Sequence, residues 1–329
     1  MSRLWLDLSR DAPSECGPGK IGLTSMAFSL NGPQGDGLEL GTRRFLHPGP
    51  LLWLRATGWA VALFMIFMLI DAAAVVGSDE IVKHFGESAG VAYVVAICPA
   101  ALALYAGLTR LAEGRWPQEL DLKRVAPDLL IGLAIGAAML SAVVILLVVL
   151  GQYGVSGPFW GSPLGMIRVG ISSGVLEELI MRAILLRLLM RAFGAWPALL
   201  IQAALFGAMH LANPNASPMA AVAIAMEAGL MLAAFYMLTG RLWMSIGVHA
   251  AWNFTQGWVW GAAVSGIAVK DSLFVSTPKP GAPALLSGGA FGPEASLPAM
   301  VIGTGVAMVV LHRAWKRGNF RGKAAPTDA

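Results

Sequence analysis

Repeated apolar runs of bilayer length, a scarcity of charge and the grouping of basic residues at alternate ends of those runs predict an all-α fold: a polytopic membrane helix bundle of about eight transmembrane helices. Hydrophobic residues make up 57% of the 329 and charged residues 13%, with a mean hydropathy of +0.68. Soluble domains run at about 45–50% and about 25%. The surplus of apolar side chains calls for lipid as solvent. The net charge of +4 is small and its carriers lie dispersed beside the apolar runs, so no nucleic-acid partner is implied. Of the two cysteines, Cys16 falls in a polar tail and Cys98 in an apolar run, which predicts neither a disulfide framework nor a thiolate metal site.

In chain order, residues 1–50 are mixed in composition, contain Gly and Pro, and lack a sustained apolar period; they read as a disordered or weakly ordered tail. The tail has no apolar core followed by a small-residue cleavage site, so it is not a secretory signal peptide, and Met26 is an alternative start. Spans are expected at 56–76, 89–108, 129–150, 166–190, 197–212, 219–238, 242–264 and 297–315. The fourth is less uniform because it carries a Glu pair and three arginines. The fifth starts at Pro197, which suits a first helical turn, and ends before Asn213-Pro214. The expected organisation is a tail over 1–50, N-terminal membrane helices over 51–160, a polar-bearing helical core over 161–264, a Gly/Pro/Ser-rich loop over 265–296, and a last span with a basic tail over 297–329.

Lys and Arg set the orientation, because positive charge collects on the cytoplasmic side of short loops. Arg43, Arg44 and Arg55 precede the first span; Arg110, Arg115, Lys123 and Arg124 follow the second; Arg187 and Arg191 mark the end of the fourth; Arg241 follows the sixth; Arg313, Lys316, Arg317, Arg321 and Lys323 close the chain. The alternate segments hold few: Lys83 is outnumbered by Asp79, Glu80 and Glu87, and the 265–296 loop has Lys270 and Lys279. Both termini are therefore expected in the cytoplasm and the long loop outside it, in a bacterial inner membrane.

Against this apolar background stand Glu177, Glu178, Arg182, His210, His249 and Asn253. A charged side chain at the centre of a membrane helix costs about 2.5–3.5 kcal/mol on insertion scales, so a cluster of them implies a function. Glu178 and Arg182 have the i, i+4 spacing that lets the Arg neutralise one carboxylate; Glu177 points about a third of a turn away, available as a general base. Phe206 and His210 share the same spacing, so the ring can fix the imidazole, and His249 with Asn253 repeats it on the seventh span. The bland alternative is an ion-pair network joining helices. The convergence of all three pairs favours a shared cavity.

These residues resemble a known family. Glu177-Glu178-Leu-Ile-Met-Arg182 looks like EExxxR, Phe206-Gly-Ala-Met-His210 like FxxxH, and His249-Ala-Ala-Trp-Asn253 like HxxxN, in the order found in the CPBP intramembrane proteases. That group contains the CAAX prenyl endopeptidases of the Rce type and bacteriocin-processing or self-immunity proteins. The resemblance covers about 165–257. It implies hydrolysis of a peptide bond in a membrane-associated or lipidated polypeptide: Glu177 with His210 activating a water, His249 and Asn253 stabilising the oxyanion, Glu178 and Arg182 supporting the site. The family is often labelled metalloprotease, and Glu177, His210 and His249 could supply the ligands of a catalytic zinc. The sequence has no HExxH helix, which favours a metal-free glutamate mechanism. No serine or cysteine of the spans pairs by spacing with a histidine, so no covalent nucleophile is indicated.

Three other polar groups are weighed. Glu227 in the sixth span either lines the cavity or bonds a neighbouring helix; Asn213 caps the helix end or orients His210; Asp71 is expected near the outer end of the first span, reaching water. Two non-proteolytic readings stand beside the protease: an immunity or scaffold protein binding a peptide in the same cavity, and a proton-relaying transporter, for which neither an internal repeat nor paired broken helices is present. Oligomeric state is not legible.

Overall fold

The computed structural model describes residue 35 and residues 37–323. Most of the expected tail, with Cys16 and Met26, and residues 324–329 lie outside them. From residue 37 onward the tail is packed: Leu38 bridges to Gly322, and Leu40 and Leu46 are buried. Three leucines within nine residues supply enough apolar surface to hold this stretch against the bundle.

Helix α1 spans Leu52–Phe85 and α2 Glu87–Glu113. Gly86 alone joins them, at φ +82°, a conformation that L side chains rarely adopt and that turns the chain within one residue. Next come α3 (Val125–Val149), strand β1 (Tyr153–Ser156), α4 (Leu164–Ser172), α5 (Arg187–Phe193), α6 (Ala195–Met209), α7 (Pro218–Ile224), α8 (Leu230–Thr239), α9 (Trp243–Phe254), strand β2 (Val275–Pro278), the short α10 (Ala284–Ser287) and α11 (Leu297–Lys316). π-helical runs at Ser173–Glu177 and Leu179–Leu186 join α4 to α5, Ala225–Gly229 joins α7 to α8, and Thr255–Val259 extends α9. Ser217 and Ser296 cap α7 and α11, each hydroxyl accepting from the backbone N–H three residues on.

Among the described residues, six helices are long and apolar enough to cross a bilayer: Leu52–Phe85, Glu87–Glu113, Gln118–Val149, Ala195–Ala212, Pro218–Thr239 and Leu297–Lys316. The other two expected spans are helical, at 164–193 and 243–259, but fall short of that standard. The first concentrates Glu177, Glu178 and Arg182 within one bilayer thickness, and the second is short. Charge removes the first from the apolar set and length removes the second. The chain is an integral, mostly helical membrane protein, with one addition that the sequence did not suggest: β1 and β2 pair antiparallel, Tyr153 opposite Pro278.

Packing brings the polar helices inward. α3 lies along α9, α11 along α8, and α1 along α2. At Gly132 an added Cβ would stand 2.4 Å from the Met244 carbonyl oxygen, so only glycine lets α3 seat against α9 this closely. With Gly136 it forms a small-xxx-small seam that holds the helix bearing His249. The facing helix is as close at Gly247, which meets Leu129 and Gly132.

At the end where the basic segments gather, Arg115 and Arg187 are not free orientation charges. Arg187 donates to Glu113 at 2.8 Å and to the Leu40 carbonyl at 3.0 Å; Arg115 donates to Glu113 at 2.8 Å and to Glu119 at 2.9 Å; Tyr105 also donates to Glu119. This buried network ties α2, the following turn, the 37–50 stretch and α5 together.

Candidate active site

Glu177 and Glu178 stand where α4 gives way to the two π-helical runs. A π turn displaces the side chains around it from regular α-helical register, and such bulges concentrate at functional sites. The two carboxylates end in opposite surroundings. Glu178 is fully buried, its Oε1 accepting from Arg182 Nη1 at 2.8 Å and from His249 Nδ1 at 2.9 Å. The Glu177 side chain is 28% exposed, and its Oε2 lies 3.9 Å from His249 Nε2. That gap is too long for a direct hydrogen bond and short enough for one oxygen atom to touch both.

Arg182 is pinned on three sides: by Glu178, by the Ala228 carbonyl at 3.1 Å, which belongs to the π run Ala225–Gly229, and by the Phe206 ring 4.9 Å from its guanidinium carbon. Phe206 also meets His210 edge-on at 4.8 Å and His249 at 6.2 Å. The i, i+4 relation predicted for Phe206 and His210 thus sets the imidazole twice, because His210 Nδ1 also donates to the Phe206 carbonyl at 2.7 Å. Its Nε2 is left as an acceptor. Asn253 donates one amide N–H to Ser173 Oγ at 2.9 Å, leaving its second free to donate elsewhere.

A chamber of about 540 Å³ brings Glu177, His210 and Asn253 together with Asp71, Asn213 and Arg168. Beside it, a cavity of about 20 Å³, room for a single water, is lined by His210, His249 and Asn253 together with Glu227, Ser265 and Glu294. The structure therefore brings the six sequence candidates to one neighbourhood: Glu177, His210 and Asn253 on the chamber, His249 on the small cavity beside it, and Glu178 and Arg182 behind them. Glu227 takes the cavity-lining alternative, its Oε2 buried without a hydrogen-bond partner. Asn213 occupies the cap position after the short turn His210–Ala212 and lines the chamber. Asp71 lies inside α1, which continues to Phe85, and shares the chamber with Glu177.

Ser173, Ser265 and Glu294 were not found from sequence. Ser173 has the signal of a hydroxyl one helical turn before Glu177; Glu294 has none, because the loop that carries it folds back over the site. Its carboxyl accepts from the Ser265 N–H, and burial pushes it up to about 7 against the lowering effect of that bond and of Gln256.

For the zinc alternative, both imidazoles have Nδ1 engaged, which would leave Nε2 for a metal. Among the described residues, however, no group of three His, Cys, Asp or Glu converges well enough to hold an ion. The donor set as placed does not fit, and no step below is routed through a metal.

Fold and site together define a helical membrane protein with a polar chamber enclosed among its spans. Residues 159–255 match the family model described as Type II CAAX prenyl endopeptidase Rce1-like. That stretch, which holds Glu177, Glu178, Arg182, His210, His249 and Asn253, is similar to this family, and the likeness supports a protease of the CAAX endopeptidase type. No curated protein and no solved structure matches the chain.

Proposed function

We propose that the protein hydrolyses a peptide bond of a membrane-associated or lipidated polypeptide within the chamber, using a water activated by Glu177. The observation that carries this reading is the separation of roles between adjacent carboxylates. Glu178 is consumed by Arg182 and His249, whereas Glu177 faces the open space 3.9 Å from His249 Nε2. One carboxylate is structural and the other is free to take a proton.

In the proposed sequence the water lies between Glu177 and His210 Nε2, an acceptor because Nδ1 holds the proton. Glu177 removes a proton as the water oxygen attacks the scissile carbonyl. The oxyanion so formed accepts from the free Asn253 N–H and from His249, which must then carry a proton at Nε2 as well as at Nδ1. Donors fixed in advance are worth about 2.7–4 kcal/mol each in a studied protease. As the carbon–nitrogen bond breaks, Glu177 returns its proton to the departing amine, so the balance is one water consumed for one acid and one amine. Glu178 and Arg182 hold His249 in line.

Both termini lie in the cytoplasm in this reading, as the distribution of Lys and Arg supports. The test compares the peptides that accumulate in cells carrying the wild-type chain and the Glu177→Ala variant at equal abundance. A polypeptide that is cut only with Glu177 present supports the proposal; identical peptide profiles overturn it. Metal content of active purified protein and sensitivity to chelators test the metal-free mechanism separately.

A further inference from the structure

The chamber opens at one end of the bundle, and that end is identifiable. Its rim is formed by Asp79 near the C-terminal end of α1, Glu87 at the start of α2, Ser162 before α4, and Ile267, Lys270 and Asp271 of the loop after α9. Asp79 and Ile267 are exposed. None of the segments 43–55, 114–124, 187–195, 239–242 or 313–323 lines it.

Those excluded segments are the ones rich in Lys and Arg. With Arg115 and Arg187 set aside because they are consumed in the buried network, Arg43, Arg44, Arg55, Lys123, Arg124 and the cluster after Val310 still mark that end, against Lys83, Arg168, Lys270 and Lys279 at the rim end. Positive charge near span ends marks the cytoplasmic side. The geometry of α1 agrees. Its 34 residues measure about 51 Å, against a hydrocarbon core of about 30 Å. If Arg55 marks the basic interface, the last turns, with Asp79, Glu80 and Lys83, project beyond the opposite one.

We propose that the chamber opens to the extracytoplasmic face, and that its substrate is an exported or membrane-anchored polypeptide whose scissile segment is presented from that side. A lipidated C-terminus lying in the cytoplasm would meet the closed end, where Glu113, Arg115, Glu119 and Arg187 seal the bundle. The substrate half of this proposal rests on the proteolytic reading above; the sidedness does not.

The experiment uses the full chain with Cys16→Ser and Cys98→Ala, into which single substitutions Ile267→Cys at the rim, Ser172→Cys on the chamber wall or Lys123→Cys at the basic end are placed. Right-side-out vesicles are treated with a membrane-impermeant methanethiosulfonate before and after permeabilisation. Ile267→Cys and Ser172→Cys should react in sealed vesicles at least tenfold faster than Lys123→Cys, which should react only after permeabilisation. The reverse order, or equal reactivity of rim and basic end, overturns the proposal. Lys270→Cys is a second rim position should Ile267→Cys not fold. Adding Glu177→Ala should leave this labelling pattern unchanged, so loss of the peptide difference in cells with labelling intact would indict the proteolytic reading alone.

Discussion

Replacing Glu177 and Glu178 one at a time should give opposite results. Glu178→Ala leaves the fully buried Arg182 guanidinium without the carboxylate 2.8 Å away and frees His249 Nδ1 from its partner. Removing one partner of a buried pair costs about 3–5 kcal/mol. At about 2–4 °C per kcal/mol for a domain of a few hundred residues, the unfolding midpoint should fall by about 6–20 °C. The Ala228 carbonyl and the Phe206 ring soften the loss without supplying an anion. Glu177→Ala removes a partly exposed side chain that makes no hydrogen bond to Arg182, so stability should change by about 0.5 kcal/mol or less. Cleavage should nevertheless fall by about 10²–10⁴, the usual contribution of a positioned base. Thermal unfolding in detergent and the cleavage rate of the identified substrate, measured on the same preparations, separate the two. A Glu177→Ala protein as destabilised as Glu178→Ala, or one that still cuts at the wild-type rate, would refute the division of roles.

Asn253→Ala should lower kcat by about 10²–10³ with little change in KM, because its free N–H is used only when the oxyanion forms; a change confined to KM would assign it to substrate binding. Gly132→Leu forces side-chain atoms against the Met244 carbonyl and should cost about 1–3 kcal/mol along with activity, since α9 carries His249. Gly58→Leu, whose Cβ would meet nothing within 4 Å, should be neutral in the same unfolding assay. For Glu294, the folded carboxyl near 7 binds its proton more tightly than the unfolded one at 4.5. Its contribution is therefore complete at low pH and lost as pH rises through about 7, a swing of about 3 kcal/mol. Glu294→Gln should remove that slope in unfolding measured from pH 5 to 8, gaining on the wild type at the alkaline end.

The elements legible in the sequence were those written in local spacing. Apolar runs of bilayer length located the helices, and i, i+4 offsets located Glu178 against Arg182 and Phe206 against His210, because neighbours on one helix face are fixed by the helix itself. The length of α1 was not legible: hydropathy ends a span where the apolar run ends, while α1 continues as helix well beyond it. Of the eight expected spans six pass as long apolar helices; the one with the Glu pair fails by its charge and the one with His249 by its length.

The sequence by itself determined an integral helical membrane protein and named the six polar residues of the candidate site, because bilayer thickness and helical periodicity act on each segment independently of the others. Only the tertiary structure decided which Glu is buried, that Gly132 and Gly136 seat α3 against the helix of His249, that Glu294 arrives from a distant loop, and which end of the bundle the chamber opens to. Those outcomes depend on how separate helices pack, and no spacing along one chain segment records them.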